Sequence, residues 1–256
     1  MILDERTLQR LAAVTRFSDI RQFDRIDSTN RYLLDEARVG AAEGAVAVAA
    51  YQTAGRGRRG REWTAAPNAS LLASVLLRPT GLAADRRHLV TAAVALAAAS
   101  ACEAVAGFRP SVKWPNDLVV EDRKLAGILA EVDGDAIVVG LGMNLNWGAE
   151  ELPLGAVSAD ALAGRSVDPG EMLAALLTHL EDRCRQLDHP DGLLAITEDS
   201  RASSATVGRD VRVELVDHTV VGRAEEIDDH GHLHVRTVGG ATLEVTAGDV
   251  IHLRPA

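Results

Sequence analysis

The alternation of apolar and polar positions predicts helices mixed with strands in the first part of the chain. After a short candidate helix near the N-terminus, DSTNRYLLDEA at 27–37 offers Asp27, Ser28 or Thr29 as a helix cap ahead of apolar positions. A helix is therefore expected to begin here. Apolar spacing predicts further helices over 87–105, over 168–187 and from there to about residue 200.

Short apolar runs bounded by glycine or proline predict strands in the same part. The runs AVAVAAY at 45–51 and SLLASVLLRP at 70–79 have the length and composition of buried strands. Between residues 112 and 147, apolar runs alternate with Asp, Asn and Gly, which is typical of a strand meander. The pattern predicts an α+β domain over 1–204, in which a mixed β-sheet packs with helices.

A different pattern begins at residue 205. The segments VRVEL, VVGRAEEI, HLHVRTV and ATLEV alternate apolar and polar residues and are separated by turn sequences such as DDHG and VGG. Short strands of this kind are typical of a small barrel. The sequence predicts a separate C-terminal β-barrel domain over 205–256.

Composition restricts the class of protein. With 47% hydrophobic and 25% charged residues, the 256-residue chain has the make-up of a soluble globular protein, and its net charge of −10 disfavours nucleic acid as a partner. The N-terminus has no signal-peptide pattern, and the apolar stretch 89–107 contains Glu103 and weakly hydrophobic residues, so we expect a packed helix and no membrane span. Cys102 and Cys184 lie far apart and predict reduced core thiols in a cytoplasmic protein.

The densest basic patch is the arginine-glycine loop, residues 52–63 (QTAGRGRRGREW). Gly55, Gly57 and Gly60 match the dinucleotide-binding pattern G-x-G-x-x-G, but no apolar helix follows and no acidic residue stands about 20 positions later. The HRD and DFG sequences of a protein kinase are absent as well. An arginine-glycine RNA-binding segment is disfavoured because such segments are repetitive tails, whereas this loop lies between two predicted strands.

Two interpretations of the arginine-glycine loop stay open from its residues alone. It could be a solvated basic loop of no special role. Alternatively, glycines let backbone N–H groups approach an anion, the arginines neutralise phosphate, and Trp63 covers the bound group. The second interpretation predicts a nucleotide site that contains Arg56, Arg58, Arg59 and Arg61.

Three separated motifs resemble those of the biotin protein ligases, which activate biotin with ATP and attach it to a lysine of a carrier protein. They are DSTN at 27–30, QTAGRGRRGREW at 52–63 and KWPNDLVVEDRKLAGIL at 113–129, and GLGMNLN at 140–146 adds a fourth. The resemblance implies an SH3-like barrel at the C-terminus, ATP with Mg²⁺ as cofactors and biotin as substrate. About 26 residues precede DSTN, too few for the DNA-binding domain of some members, so a short form without direct DNA binding is expected.

The resemblance also implies roles for individual residues. Hydroxyl and amide side chains suit the neutral ureido ring of biotin, which both donates and accepts hydrogen bonds. Helix capping is an equally available role for Ser28 and Thr29. The biotin-binding residues implied by the resemblance are Ser28, Thr29, Asn30, Gln52, Gly55, Arg56, Gly57, Arg58, Lys124 and Gly127.

The resemblance implies that ATP lies next to biotin. Lys124 would bridge the biotin carboxylate and the α-phosphate, although by residue type alone it is an ordinary turn lysine. Asp117 is the candidate base or orienting group for the acceptor lysine, and alternatively it holds Lys113 or Mg²⁺. The expected catalytic residues are Lys124, Arg58 and Asp117, and the expected ATP-binding residues are Arg56, Arg58, Trp63, Asn116, Lys124, Asn144 and Asn146, with no protein metal site.

Other functions are less well supported by the motifs. A lipoate or octanoate ligase or transferase is the alternative enzyme, but the GRGRRG and KWPND strings favour biotin. His230, His232 and His234 would share one face of a strand, and we interpret them as a solvated face of the barrel. The expected partner is the biotin carboxyl carrier domain of a carboxylase, with neither nucleic acid nor membrane, and the protein is expected to be a monomer or weak homodimer.

Overall fold

A seven-stranded mixed sheet forms the centre of the first part of the chain, in a computed structural model that describes residues 2–148, 152–215 and 217–253. Its strand order is β1-β2-β3-β7-β6-β5-β4, with β1 parallel to β2 and the other neighbours antiparallel. The meander predicted between 112 and 147 is therefore present as β4 to β7. The strands are β1 Ile20–Phe23, β2 Val46–Ala49, β3 Ser70–Leu77, β4 Ser111–Lys113, β5 Asp117–Val120, β6 Arg123–Asp133 and β7 Ala136–Asn144.

Helices pack on both faces of this sheet. On one face, α3 and α5 pack together over the strands and enclose the largest apolar core. On the other face, Leu33 and Leu34 of α2 pack against Ala47, Leu76 and Val138. The helices of the described residues are α1 Glu5–Val14, α2 Thr29–Arg38, α3 Leu89–Ala106, α4 Ala159–Ala163, α5 Pro169–Leu187 and α6 Pro190–Ala202.

The helix α3 is long and apolar enough to cross a membrane by length and composition, but it lies inside the fold. Its Val90, Ala93, Leu96 and Ala97 are completely buried against the sheet and the neighbouring helices. Such a helix, apolar all round, is typical of a protein core as well as of a bilayer. The expected packed helix is present, and it ends at Gly107, whose left-handed backbone closes the last turn.

The C-terminal part forms a five-stranded antiparallel sheet in the order β11-β10-β9-β8-β12. Its core consists of alternate residues such as Val211, Val213, Leu233 and Val235, and Trp114 of the first part packs into it. The α+β fold class with a small β-domain is confirmed. The strands are β8 Asp210–Glu214, β9 Thr219–Ile227, β10 Leu233–Thr237, β11 Thr242–Val245 and β12 Asp249–His252.

Some elements were not predicted from the sequence. Strand β1 has no fully buried residue, and β12 has only Val250 buried, so neither shows a clear apolar pattern. Both are nevertheless paired, β1 with β2 and β12 with β8. The division of the chain at residue 205 remains a prediction.

Candidate active site

A cavity of about 260 Å³ lies between the N-terminus of α2, the arginine-glycine loop, the sheet and the barrel. It brings together segments that are up to about 220 residues apart in the chain, from Ser28 to Asp249. Most of the predicted site residues line it. They are Ser28, Thr29, Asn30, Gln52, Arg56, Gly57, Arg58, Trp63, Asn116, Asp117, Lys124 and Gly127.

The polar end of the cavity is built on the N-terminus of α2. Ser28 caps the helix by accepting from the backbone N–H of Arg31 at 3.5 Å, and it also lines the cavity, so the two roles coexist. Gln52 Oε1 accepts from both the backbone N–H and the hydroxyl of Thr29, at 2.7 and 3.1 Å. Ser74 Oγ on β3 lies 2.7 Å from Thr29 Oγ1 and completes a buried chain of hydroxyl and amide groups.

Asn30 connects this polar end to strand β6. Its side-chain amide donates to the carbonyl of Leu129 at 3.1 Å and to Glu131 Oε2 at 2.9 Å, while Ser74 Oγ lies 2.6 Å from its Oδ1. Glu131 Oε1 in turn is 2.7 Å from the guanidinium of Arg56. The amide is therefore fixed in one orientation, which a site that recognises a hydrogen-bonding ring requires.

The arginine-glycine loop folds back on itself and rests on the barrel. Gly57 donates to the carbonyl of Arg61 at 2.7 Å, and Arg59 has the left-handed backbone angle φ 55° inside the turn. Asp249 of β12 lies 3.4, 3.7 and 2.6 Å from Arg58, Arg59 and Arg61. A single carboxylate of the C-terminal domain thus gathers three cationic side chains at the rim of the cavity.

The cationic end of the cavity contains Lys124 and Trp63. Lys124 Nζ lies 2.8 Å from Asp117 Oδ1 and 5.6 Å from the centre of the Trp63 ring. Trp63 Nε1 is buried and has no hydrogen-bond partner among the described residues. Buried indole N–H groups normally have an acceptor, so this one is suited to donate to a bound ligand.

Four predicted site residues lie outside the cavity lining, and one of them is Arg59, which contacts Asp249. Gly55 belongs to the adjoining surface beside α2, where a Cβ would meet the carbonyl oxygen of Trp63 at 2.3 Å. Asn144 donates to the carbonyl of Val157, and Asn146 donates to the carbonyl of Val167, so both side chains tie down the segment after β7. Their predicted contact with ATP remains a prediction.

Several residues that the sequence did not assign to the site line or support the cavity. Ser74 and Glu131 lie outside the lining and contact Asn30, whereas Asp249 lines the cavity and contacts three arginines. Lys113 also lines the cavity, and burial lowers the pKa of its ammonium group, with repulsion from Lys124 acting in the same direction. Lys113 and Lys124 are the only two lysines in the whole sequence. This scarcity of lysine was a sequence signal that could have identified Lys113 as a site residue.

Two glycines of β7, Gly140 and Gly142, leave room for the side chains of Asn30 and Trp63. Adding a side chain at each glycine is therefore expected to disturb a different part of the cavity. A Cβ on Gly140 would lie 2.1 Å from Asn30 Oδ1, and one on Gly142 would lie 2.4 Å from Cε2 of Trp63. We expect Gly140→Ala to weaken biotin binding and Gly142→Ala to weaken ATP binding, each by about tenfold or more, since a displaced side chain loses contacts worth about 1.4 kcal/mol. Calorimetric titration of both variants with both ligands checks this. Equal losses for the two ligands in each variant would contradict it.

A second cavity of similar volume, about 270 Å³, lies on the opposite face of the sheet, between α3 and the barrel. Its lining is mostly apolar and contains Val112, Trp114 and Ile227, and it shares Arg58, Asn116 and Ile128 with the first cavity. The polar and cationic groups needed to hold an acid and a nucleotide therefore converge in the first cavity.

Residues 22–144 match the biotin/lipoate A/B protein ligase family, and residues 206–253 match the C-terminal domain of biotin protein ligases. The chain belongs to the biotin protein ligase family.

Relatives of known name agree with this assignment. The chain is 39% identical to a biotin--[acetyl-CoA-carboxylase] ligase of Mycobacterium tuberculosis over 98% of this chain and 96% of that protein. It is 36% identical to one of Paracoccus denitrificans over 84% of this chain and 93% of that protein. Among solved structures, a biotin protein ligase of Aquifex aeolicus in complex with biotin and ATP has a TM-score of 0.81 at 24% identity, covering 93% and 100% of the two chains.

Proposed function

We propose that this protein activates biotin with ATP to form biotinyl-5'-AMP and then transfers the biotinyl group to a lysine of a biotin carboxyl carrier protein. The observation that carries the proposal is the single cavity in which the fixed amides of Asn30 and Gln52 lie at one end and Lys124 lies at the other. A neutral ring that donates and accepts hydrogen bonds fits the first end. A carboxylate and a phosphate fit the second.

The first step requires placement and charge neutralisation and no base. A carboxylic acid with a pKa near the ordinary value of about 4 to 5 is ionised at neutral pH and is already a nucleophile. Its oxygen attacks the α-phosphorus of ATP, a P–O bond to the leaving pyrophosphate breaks, and negative charge develops on the leaving group. Lys124, Arg56 and Arg58 line the same cavity, and we assign to them the stabilisation of that charge.

ATP brings Mg²⁺ as the counter-ion of its phosphates. The carboxylates of Asp117 and Asp249 line the same cavity, which fits a hydrated ion held mainly by phosphate oxygens and by one or two carboxylates. When bound, the ion neutralises charge on the departing pyrophosphate. No dedicated protein metal site is needed for this chemistry.

The mixed anhydride product hydrolyses readily, so the site must exclude water until the carrier arrives. We assign that cover to the arginine-glycine loop, because it lines the cavity and its Arg61 contacts Asp249 of the barrel. In the second step, the acceptor amine attacks the acyl carbon, AMP leaves, and the amine loses a proton. Asp117, 2.8 Å from Lys124, is the candidate acceptor of that proton, and its carboxylate also orients Lys124.

The name of the mycobacterial relative supports a carboxylase carrier domain as the protein substrate.

The two cysteines are buried, and burial raises the pKa of each thiol to about 12. Thiols that stay protonated are unreactive, which suits a protein of the cytoplasm.

The function is tested by incubating the purified protein with Mg-ATP and biotin, lipoate or octanoate in parallel and measuring acyl-adenylates by mass spectrometry. We expect biotinyl-AMP only, because a fatty acid cannot pair with the side-chain N–H groups of Gln52, and a site built to hydrogen-bond its substrate rejects such an acid by a factor of about 10⁴. Adenylate from lipoate or octanoate would move the assignment to those ligases. Adenylate from none of the acids would refute the proposal.

A further inference from the structure

The turn that joins β9 to β10 contains a cluster of titratable side chains that the proposed reaction does not use. The sequence predicted that its histidines share a solvated strand face, but His230 and His232 lie in the turn, before β10 begins at Leu233. The side chain of His232 is only 17% exposed and that of Asp228 only 22%. The expectation of a solvated strand face is therefore wrong for His232.

Three possible metal ligands converge at this turn. His232 Nδ1 lies 2.6 Å from Glu244 Oε1 and 3.9 Å from Asp228 Oδ2, and the ligand atoms of all three residues are within 4.8 Å of one another. They come from two elements: Asp228 and His232 lie in the turn after β9, and Glu244 lies on β11. The antiparallel pairing of β10 with both neighbours holds these elements in register.

The carboxylate of Asp228 is positioned before any ion binds. Its Oδ1 accepts from the backbone N–H groups of His230 and His232 at 2.8 and 2.9 Å. Its Oδ2 lies 3.0 Å from His234 Nε2, a contact of the kind that orients metal-ligating carboxylates in known sites. The side chain therefore has little freedom to lose when a cation binds, which favours affinity.

We propose that Asp228, His232 and Glu244 bind one divalent transition-metal ion of the Zn²⁺ class, with His234 as the positioning residue of Asp228. One imidazole nitrogen and two carboxylates form a donor set that Zn²⁺ accepts, with water as a fourth ligand. In a tetrahedral site the ligand atoms are about 3.4 Å apart. For the ion to bind, the distance from His232 Nδ1 to Glu244 Oε1 has to increase, and the distance from His232 Nδ1 to Asp228 Oδ2 has to decrease. Movements of the side chains are enough for both changes.

The proposed ion would fix the turn against the catalytic sheet. The carbonyl of Gly231 accepts from Trp114 Nε1 at 3.1 Å, and the carbonyl of His230 lies 2.7 Å from His88 Nε2. Trp114 precedes Asn116 and Asp117 in the KWPND motif, both of which line the active-site cavity. Zinc bound to the barrel is therefore expected to stabilise the junction of the two parts of the protein.

The test uses the untagged full-length protein, free of ATP and biotin, titrated with ZnCl₂ by calorimetry and by equilibrium dialysis. We expect one ion per chain and a rise in the thermal unfolding temperature. His232→Ala and Glu244→Gln should each weaken Zn²⁺ binding by more than tenfold, and His234→Ala should weaken it by about tenfold. His218→Ala is the matched control, because His218 contacts only Asp217 and the described residues give that pair no third ligand.

Undiminished Zn²⁺ binding in His232→Ala would overturn the proposal. The absence of binding by the wild type at about 100 μM Zn²⁺ would also overturn it, because even weak three-ligand sites bind the ion at that concentration. If His232→Ala does not fold, Glu244→Gln decides, because it keeps the size of the side chain and removes only the charge. Loss of binding in His218→Ala alone would place the ion elsewhere and would also refute the assignment.

Discussion

Lys124→Ala is expected to slow the formation of biotinyl-AMP by on the order of 10²-fold or more, as when a charge contact made in the transition state is removed. Lys124 is positioned by its contact with Asp117 at 2.8 Å and lies over Trp63. No other described cation is so close to both the ring and Asp117. Its loss removes a positive charge from the end of the cavity where we propose that the carboxylate and the phosphate bind.

Single-turnover measurement of biotinyl-AMP with excess enzyme checks this expectation, because it separates chemistry from product release. The matched control is Arg123→Ala, which removes the neighbouring cation. Arg123 is exposed and pairs with Glu121 on the surface, so its loss should leave the rate within about twofold of wild type. A near-normal rate in Lys124→Ala would contradict the assigned role. The thermal unfolding temperatures of both variants show whether Asp117 destabilises the fold when its partner Lys124 is removed.

Local patterns predicted much of the fold. The cap at Ser28, the two buried strands and the long apolar helix are each specified by residues within one short window, and all of them are present. Strands β1 and β12 were missed because pairing with distant strands stabilises them, and no local alternation marks them. The same reason explains the histidine turn: the period-two pattern began the predicted strand at His232, whereas the hydrogen bonds from the backbones of His230 and His232 to Asp228 make a turn that ends before Leu233.

The residues of the site were predictable from the sequence where they belong to long motifs. Asn30, Gln52 and Lys124 lie in such strings, and the structure brings them to one cavity. Ser74 and Asp249 belong to no such string and act by holding other residues. A buried serine in an apolar strand and an aspartate at the start of a short strand have ordinary structural explanations, so only the three-dimensional contacts reveal them. Conversely, the fold gives Asn144 and Asn146 backbone partners that their sequence motif did not suggest.

Arg58→Gly is expected to release the reactive adenylate into solution. Arg58 lies at the centre of the closed loop, where its guanidinium donates to Asn116 Oδ1 at 2.9 Å and to the carbonyl of Gly248 at 3.2 Å, and lies 3.4 Å from Asp249. Hydrogen bonds that involve a charged group contribute about 1.5–3 kcal/mol each, so losing two of them predicts release of biotinyl-AMP faster by on the order of 10²-fold. The added glycine flexibility acts in the same direction.

The measurement is labelling of a lysine-rich bystander protein in the presence of Mg-ATP and biotin, together with the rate at which preformed adenylate dissociates on rapid gel filtration. A bystander is needed because the chain itself has only two lysines, both in the cavity, and would report escaped adenylate poorly. Arg61→Gly serves as the graded control, since Arg61 is exposed and contacts Asp249 without reaching Asn116. We expect it to release adenylate more slowly than Arg58→Gly. Retention of adenylate by Arg58→Gly as tight as in the wild type would mean that the loop closes without this side chain.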